Sequence, residues 1–153
     1  MNVTVAEARY ARFFLTRAGA RITPAMIRAV TAWFRQESGY LSRVIGCNAF
    51  NIRPGAATYL STGIGPNGFL VFPDLETGFL AAAVVLIELA PSYGYGTVLA
   101  AARRPDALAF LAALARSSWS ASHYGWVPGA NARGLTNHLV SVYVKLNLTF
   151  KVA

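Results

Sequence analysis

Thr23-Pro24-Ala25-Met26-Ile27-Arg28-Ala29-Val30-Thr31-Ala32-Trp33-Phe34-Arg35-Gln36-Glu37-Ser38-Gly39 contains a helix with its own start and stop signals. Thr23 is an N-cap residue, and Pro24 suits the first helical position, where no N–H is needed. Met26, Val30 and Trp33 recur at helical spacing, and Ile27 and Phe34 widen the stripe into a core-facing side. Gly39 ends the helix. Continuing the series by four residues from Trp33 lands on Glu37, a carboxylate on the apolar face at the helix C-terminus. Partial desolvation there raises a carboxyl pKa. The negative end of the helix dipole pushes the same way. Such a group can remain protonated near neutral pH and serve as a proton donor. A surface glutamate at a frayed helix end fits the same periodicity, so spacing by itself leaves both readings open.

Working outward, Thr4-Val5-Ala6-Glu7 has the form of a capping box and predicts a helix to about Arg17, stopped at Gly19. Across residues 38–73 the helical period dissolves among recurring glycines and prolines. A stretch of that length inside a small domain is usually functional. Short strands are expected in it around Tyr59 or across Phe69–Phe72. Asp74 is an N-cap for a helix to about Leu89, which Pro91 prevents from continuing. Thr97 caps a short helix through Ala102. Pro105-Asp106 opens another, with Leu108, Leu111 and Leu114 on one side. Residues 125–136, with Pro128, Gly129 and Gly134, read as a linker. From 139 to 152 apolar and polar residues alternate, which predicts a half-buried strand.

Bulk properties narrow the function classes. The hydrophobic fraction of 55% and charged fraction of 13% exclude a disordered chain. Mean hydropathy is +0.41, yet the longest apolar run, residues 79–90, contains Glu88 and falls short of the about twenty apolar residues that a membrane span needs. Glu7 and Arg9 sit where a signal peptide needs its apolar region, so export is expected by another route: lysis, a pore or a particle. Net charge is +8, which favours polyanionic partners. The basic residues are scattered, however, with only Arg103 and Arg104 adjacent, so specific nucleic-acid binding is not expected. Cys47 has no other cysteine to pair with and reads as a small loop residue. His123 and His138 lack metal-ligand spacing, and no metal or cofactor is called for.

Four segments carry a resemblance. Trp33-Phe34-Arg35-Gln36-Glu37-Ser38-Gly39 resembles the helix-end Glu-Ser motif of the lysozyme-like superfamily, including soluble lytic transglycosylases and goose-type lysozymes. Asn48-Ala49-Phe50-Asn51 is similar to the Asn-Pro-Leu-Asn loop of a group common in phage and actinobacterial cell-wall enzymes, with Ala49 in place of the usual proline. Phe72-Pro73-Asp74-Leu75-Glu76-Thr77-Gly78 resembles that group's aromatic-x-x-x-Glu-x-Gly segment. Residues 117–124 are similar to its closing Ser-x-Trp-x-x-x-His-Tyr motif, ending on His123 and Tyr124. Order and spacing match over roughly residues 20–125.

The resemblance implies a mainly helical lysozyme-like domain, residues 1–125, with a loop-rich substrate lobe. Residues 126–153 would add a linker and a C-terminal strand. It also implies cleavage of the β-1,4 bond between N-acetylmuramic acid and N-acetylglucosamine in peptidoglycan. Glu37 carries over as general acid, and as base too if a lytic transglycosylase route is used. In that route the sugar's own 6-hydroxyl attacks and an anhydro product forms; a muramidase would instead need a positioned water, often with a second carboxylate. Asp74 and Glu76 are explained by helix capping, and Glu88 by solvent or an arginine partner. Ser38, Asn48, Asn51, Tyr59, His123 and Tyr124 are candidate substrate-binding residues. Asn48 and Asn51 could bond the acetamido groups or stabilise turns, and Tyr59 and Phe69 could stack on sugar or pack in the core. His123 serves as a structural or cleft-lining group.

The terminal strand is more than such a domain needs, and one strand is not stable alone. Its alternation suits addition to a partner's sheet. That predicts docking into an assembly such as a phage tail, with the protein carried on a virion or released to the cell wall. The alternative reading is an inactive lysozyme-like structural component of the same kind of assembly.

Overall fold

Thr4 and Glu7 start the first helix by the reciprocal bonding that their spacing predicts. Glu7 N–H donates to Thr4 Oγ1 at 3.2 Å, and Thr4 N–H donates to Glu7 Oε2 at 2.7 Å. The computed structural model describes residues 1–119 and 137–149. Within them the chain is mainly helical. Helix α1 spans Val5–Arg17 and α2 spans Pro24–Ser38. Met26 N–H donates to Thr23 Oγ1 at 3.1 Å, and Gly39, at φ +78°, closes α2. Helix α3 spans Leu75–Glu88. Its cap, Asp74, accepts from Thr77 N–H at 2.7 Å, and that backbone bond, with help from the Thr77 side chain, holds the carboxyl below its ordinary pKa.

Two details of the next helices differ from expectation. Helix α4 spans Tyr95–Arg103, so it begins before Thr97. Its cap is Gly94 at φ +78°, which has no side-chain oxygen to announce a start. Helix α5 spans Ala107–Arg116 behind Asp106, whose carboxylate accepts from Ala109 N–H at 2.9 Å. Leu108 does not join its buried face and is 45% exposed; the stripe is Ala107, Phe110, Leu111 and Leu114. That i, i+3, i+4, i+7 series buries more apolar surface than a stripe through Leu108.

Helix α2 lies at the centre, packed against α1 and α5, while α3 packs on α1 and α4. The Trp33 indole is fully buried. It meets Phe14 of α1 at 5.5 Å between ring centroids, Phe110 of α5 at 6.1 Å, and Phe50 at 4.3 Å. On another side of α2, Arg35 forms a bidentate ion pair with buried Glu7: Nε to Oε1 at 2.8 Å and Nη2 to Oε2 at 2.7 Å. Nη2 also donates to Asn2 O at 2.8 Å. Glu7 therefore caps α1 and ties it to α2 at once, and removing either partner of so buried a pair costs about 3–5 kcal/mol.

Residues 38–73 form a lobe of short turns. Helical 3-10 turns at Leu41–Arg43, Ile45–Cys47 and Thr58–Leu60 are followed by a small antiparallel pair, with Gly63↔Val71 and Ile64↔Leu70 in register. The strand expected across Phe69–Phe72 is present at its centre. Tyr59, by contrast, lies in a 3-10 turn and not in a strand. The lobe is pinned to α3 at Gly78, where an added Cβ would collide with the Cys47 carbonyl oxygen. Glycine at 78 is required by that close approach.

The C-terminal segment corrects the sequence reading. Asn137–Lys145 is a helix, α6, and only Asn147–Leu148 is extended. With β1 at Asn2–Val3, β2 at Gly63–Ile64 and β3 at Leu70–Val71, this strand is β4. It pairs in parallel with β1, Asn2↔Asn147 and Val3↔Leu148. The alternating valines concealed a helical series: Leu139 and Leu146, seven apart, are both fully buried, with Val142 and Tyr143 between them packed on the core, whereas Val144 is 60% exposed. Arg28 of α2 latches α6 by donating to Tyr143 O at 3.0 Å while its guanidinium lies 4.5 Å from the Tyr143 ring centroid. This segment is thus built into the same core, and its strand pairs with the chain's own β1. The predicted linker at 125–136 and residues 150–152 of the predicted strand lie outside the described residues. Among the described residues no helix is long and apolar enough to cross a membrane.

Removing residues 137–153 should abolish the cooperative thermal transition, because it strips two fully buried leucines from α2. A truncated chain that melts cooperatively near the full-length temperature, followed by circular dichroism, would exclude an integral α6. Gly78→Ala should cost about 1–3 kcal/mol. This lowers Tm by on the order of 5 °C, whereas Gly19→Ala, where nothing lies within 4 Å of an added Cβ, costs only the strain of its left-handed φ of +66°.

Candidate active site

The C-terminal turn of α2 leaves carbonyls without helical partners. Asn51 fills one of these places: its Nδ2 donates to Glu37 O at 2.7 Å. The same amide lies 3.3 Å from Glu37 Oε2. One side chain therefore fixes both the backbone and the carboxylate of Glu37. Asn51 reaches this position from a left-handed conformation, φ +54°, which asparagine adopts more readily than most residues. Glu37 is partly buried.

A cleft of about 610 Å³ opens at this point between the end of α2 and the loop lobe. Glu37, Asn51 and Arg53 line one part of it, and Phe69, Tyr95 and Trp119 bring aromatic surface. Trp119 is held by a short relay: Ser118 N–H donates to Tyr93 O at 3.0 Å, and Trp119 N–H to Ser117 Oγ at 3.3 Å. Its ring lies edge-on to Trp33 at 4.8 Å, so the cleft wall is continuous with the core. Tyr95 is 7% exposed, and burial, with a contribution from Tyr93, pushes its phenol above the ordinary pKa. It is a neutral hydroxyl on the cleft wall at any pH near neutrality.

The chain has six acidic residues. Glu7 is consumed by Arg35. Asp74 and Asp106 cap helices, as capping predicts for Asp74. Glu76 lies 3.5 Å from Arg9 on the surface, and Glu88 is exposed. Among the described residues lining the cleft, Glu37 is the one carboxylate.

The candidate binding residues divide. Glu37 and Asn51 come together in the cleft. Asn48 does not line it: 3% exposed, it donates to Ile52 O at 2.9 Å and Leu70 O at 2.8 Å and accepts from Ile52 N–H at 2.8 Å. All its bonding capacity in view is spent folding the lobe, so of its two open readings the turn-stabilising one fits. Ser38 donates to Ala49 O at 2.9 Å and joins α2 to the lobe without lining the cleft. Tyr59 is 68% exposed and stands away from the cleft lining. His123 and Tyr124 lie outside the described residues. Sequence reading passed over Arg53 and Tyr95. Arg53 sits two residues after Asn51 and could have been found as a cation in the same loop; Tyr95 was hidden by the unmarked start of α4. Comparison with known protein families, curated proteins and solved structures finds no match to this chain.

Asn48→Ala should lower stability by about 3 kcal/mol, since it strands buried partners on both Ile52 and Leu70. Asn51→Ala should have a smaller effect on stability and a larger one on whatever Glu37 does. Equal effects of the two substitutions on the denaturation midpoint and on function would sink this division of labour.

Proposed function

We propose that the chain is a lysozyme-like glycosidase that cleaves the β-1,4 bond between N-acetylmuramic acid and N-acetylglucosamine in peptidoglycan. The observation that carries the reading is the placement of Glu37: the end of a buried helix, pinned through Asn51, facing an open cleft with aromatic walls. Glycosidic cleavage needs a proton delivered to the leaving oxygen as the C1–O bond breaks. Glu37 delivers it. Trp119 offers apolar surface on which a sugar ring's C–H face rests, as ligand clefts generally provide.

The distribution of carboxylates favours the lytic transglycosylase route. Five of the six are engaged elsewhere or exposed away from the cleft, so a muramidase's second carboxylate has no candidate among the chain's own acids. In the transglycosylase route Glu37 gives its proton to the bridging oxygen. The 6-hydroxyl of the muramic residue then attacks C1 of the same sugar and returns its proton to Glu37. The product is a 1,6-anhydro sugar, and no water is consumed. Bacterial cell wall is then the place of action, and the net positive charge of +8 favours its anionic surface. Carriage on a virion or tail no longer follows from residues 139–152, whose described part is used inside the fold.

In a peptidoglycan zymogram the wild-type chain should clear the gel, and Glu37→Gln should lose activity about 10²–10⁴-fold. Mass spectrometry should find products lighter by one water than those of hydrolysis. Clearing that survives the substitution removes Glu37 as the acid. A folded wild type that never clears would favour an inactive structural component.

A further inference from the structure

Among the described residues lining the cleft, the proton chemistry leaves one cation, Arg53, without a task. Arg53 follows Asn51 by two residues, so the loop that aims an amide at Glu37 also sets Arg53 on the cleft wall. Its guanidinium carbon lies 4.8 Å from the Phe69 ring centroid. Its Nη1 runs beside Gly68, at 3.6 Å from where a Cβ would be. Gly68 has φ +75° and donates its N–H to Gly65 O at 3.0 Å, in the tight turn that joins β2 to β3. The hairpin thus supplies a shelf, an aromatic face with a bare glycine beside it, on which the guanidinium rests. A cation–π contact of this kind is not a hydrogen bond, so it leaves the guanidinium's N–H donors for a ligand.

Among the described residues Arg53 has no counter-charge in an ion pair. The ion pairs among the described residues are Glu7–Arg35 and Arg9–Glu76, and neither involves it. Among the described residues, every other carboxylate caps a helix, is exposed elsewhere, or is that of Glu37, held by Asn51. A positioned cation at the wall of a cleft, with donors in a planar fork, matches a carboxylate on the ligand.

We propose that Arg53 makes the cleft selective for saccharides bearing a carboxylate on the sugar's side group, read by the guanidinium while Glu37 addresses the glycosidic oxygen. The inference rests on the glycosidase reading above and names its substrate class: acidic glycans over neutral ones of the same backbone. The carboxylate can be the lactyl group of a bare muramic residue or that of an amino acid attached to it.

The test uses the full chain carrying Glu37→Gln, so that the ligand is not cut, and isothermal titration calorimetry with three forms of one N-acetylglucosamine–N-acetylmuramic acid tetrasaccharide. One keeps its lactyl carboxylates, one has them amidated with L-alanine, and one has them amidated with methylamine and is neutral. At least one carboxylate form should bind about tenfold tighter than the methylamide, and which one does so locates the anion. Adding Arg53→Gln should erase that difference and leave the methylamide affinity unchanged, while Arg53→Lys should keep part of it. Equal binding of all three forms, or a preference that survives Arg53→Gln in a variant with an unchanged melting curve, would overturn the inference and leave the glycosidase reading standing. Binding of none of the three would bring down both.

Discussion

Trp33 is the contact on which the rest of the molecule is organised. Its indole touches rings from α1, α5 and the loop lobe, and reaches Trp119 at the cleft. Aromatic pairs at such separations favour edge-on and tilted arrangements, which fix orientation as well as distance. Glu37 follows Trp33 by one helical turn, so the carboxylate inherits its position from a fully buried side chain of the core. Local motion of a loop cannot easily move it. A side chain anchored on a helix of the scaffold is held more tightly than one on a flexible segment.

The lobe across from α2 has little regular structure, and its order comes from polar bonds in place of a sheet. Asn48 acts as a substitute backbone: its amide joins Ile52 to Leu70 in the way a strand partner would. Ser38 ties the same loop to the end of α2, and Gly78 lets the Cys47 carbonyl sit against α3. A buried, fully bonded amide has one acceptable geometry, because any other leaves polar groups unsatisfied. The lobe therefore holds Asn51 and Arg53 in register with Glu37 despite having only two short strands of its own.

Much of this was legible in the residues. The caps at Thr4, Thr23, Asp74 and Asp106 announced their helices because each places a side-chain oxygen where an N–H needs one. Glu37 was visible as a continuation of an apolar stripe. Tyr95 was not, because Gly94 starts α4 through backbone conformation alone. The alternation from Val140 to Val144 looked like a strand, since period two and period 3.6 share many positions over a short run. Only tertiary contact with α2 selects the helix. Asn48 and Asn51 were indistinguishable by type: one spends its amide inward, the other turns outward through a positive φ, and both outcomes depend on partners distant in sequence.

The pairing of β1 with β4 has a kinetic side. The Met1 ammonium donates to Lys145 O across 144 positions of sequence, and the two strands beside it close a loop of nearly the whole described chain. Thermodynamically such closure costs little more than a loop of half that length, because the entropy grows only with the logarithm of its size. In time it is expensive, since long-range contacts are rewarded only after the intervening helices have packed. The pairing of Val3 with Leu148 forms only once both strands are present, whereas the Arg35 bond to Asn2 is local to the first two helices. The clasp thus makes the N-terminal edge of the core a product of long-range closure, whose rate depends on how fast the helices between its two strands pack.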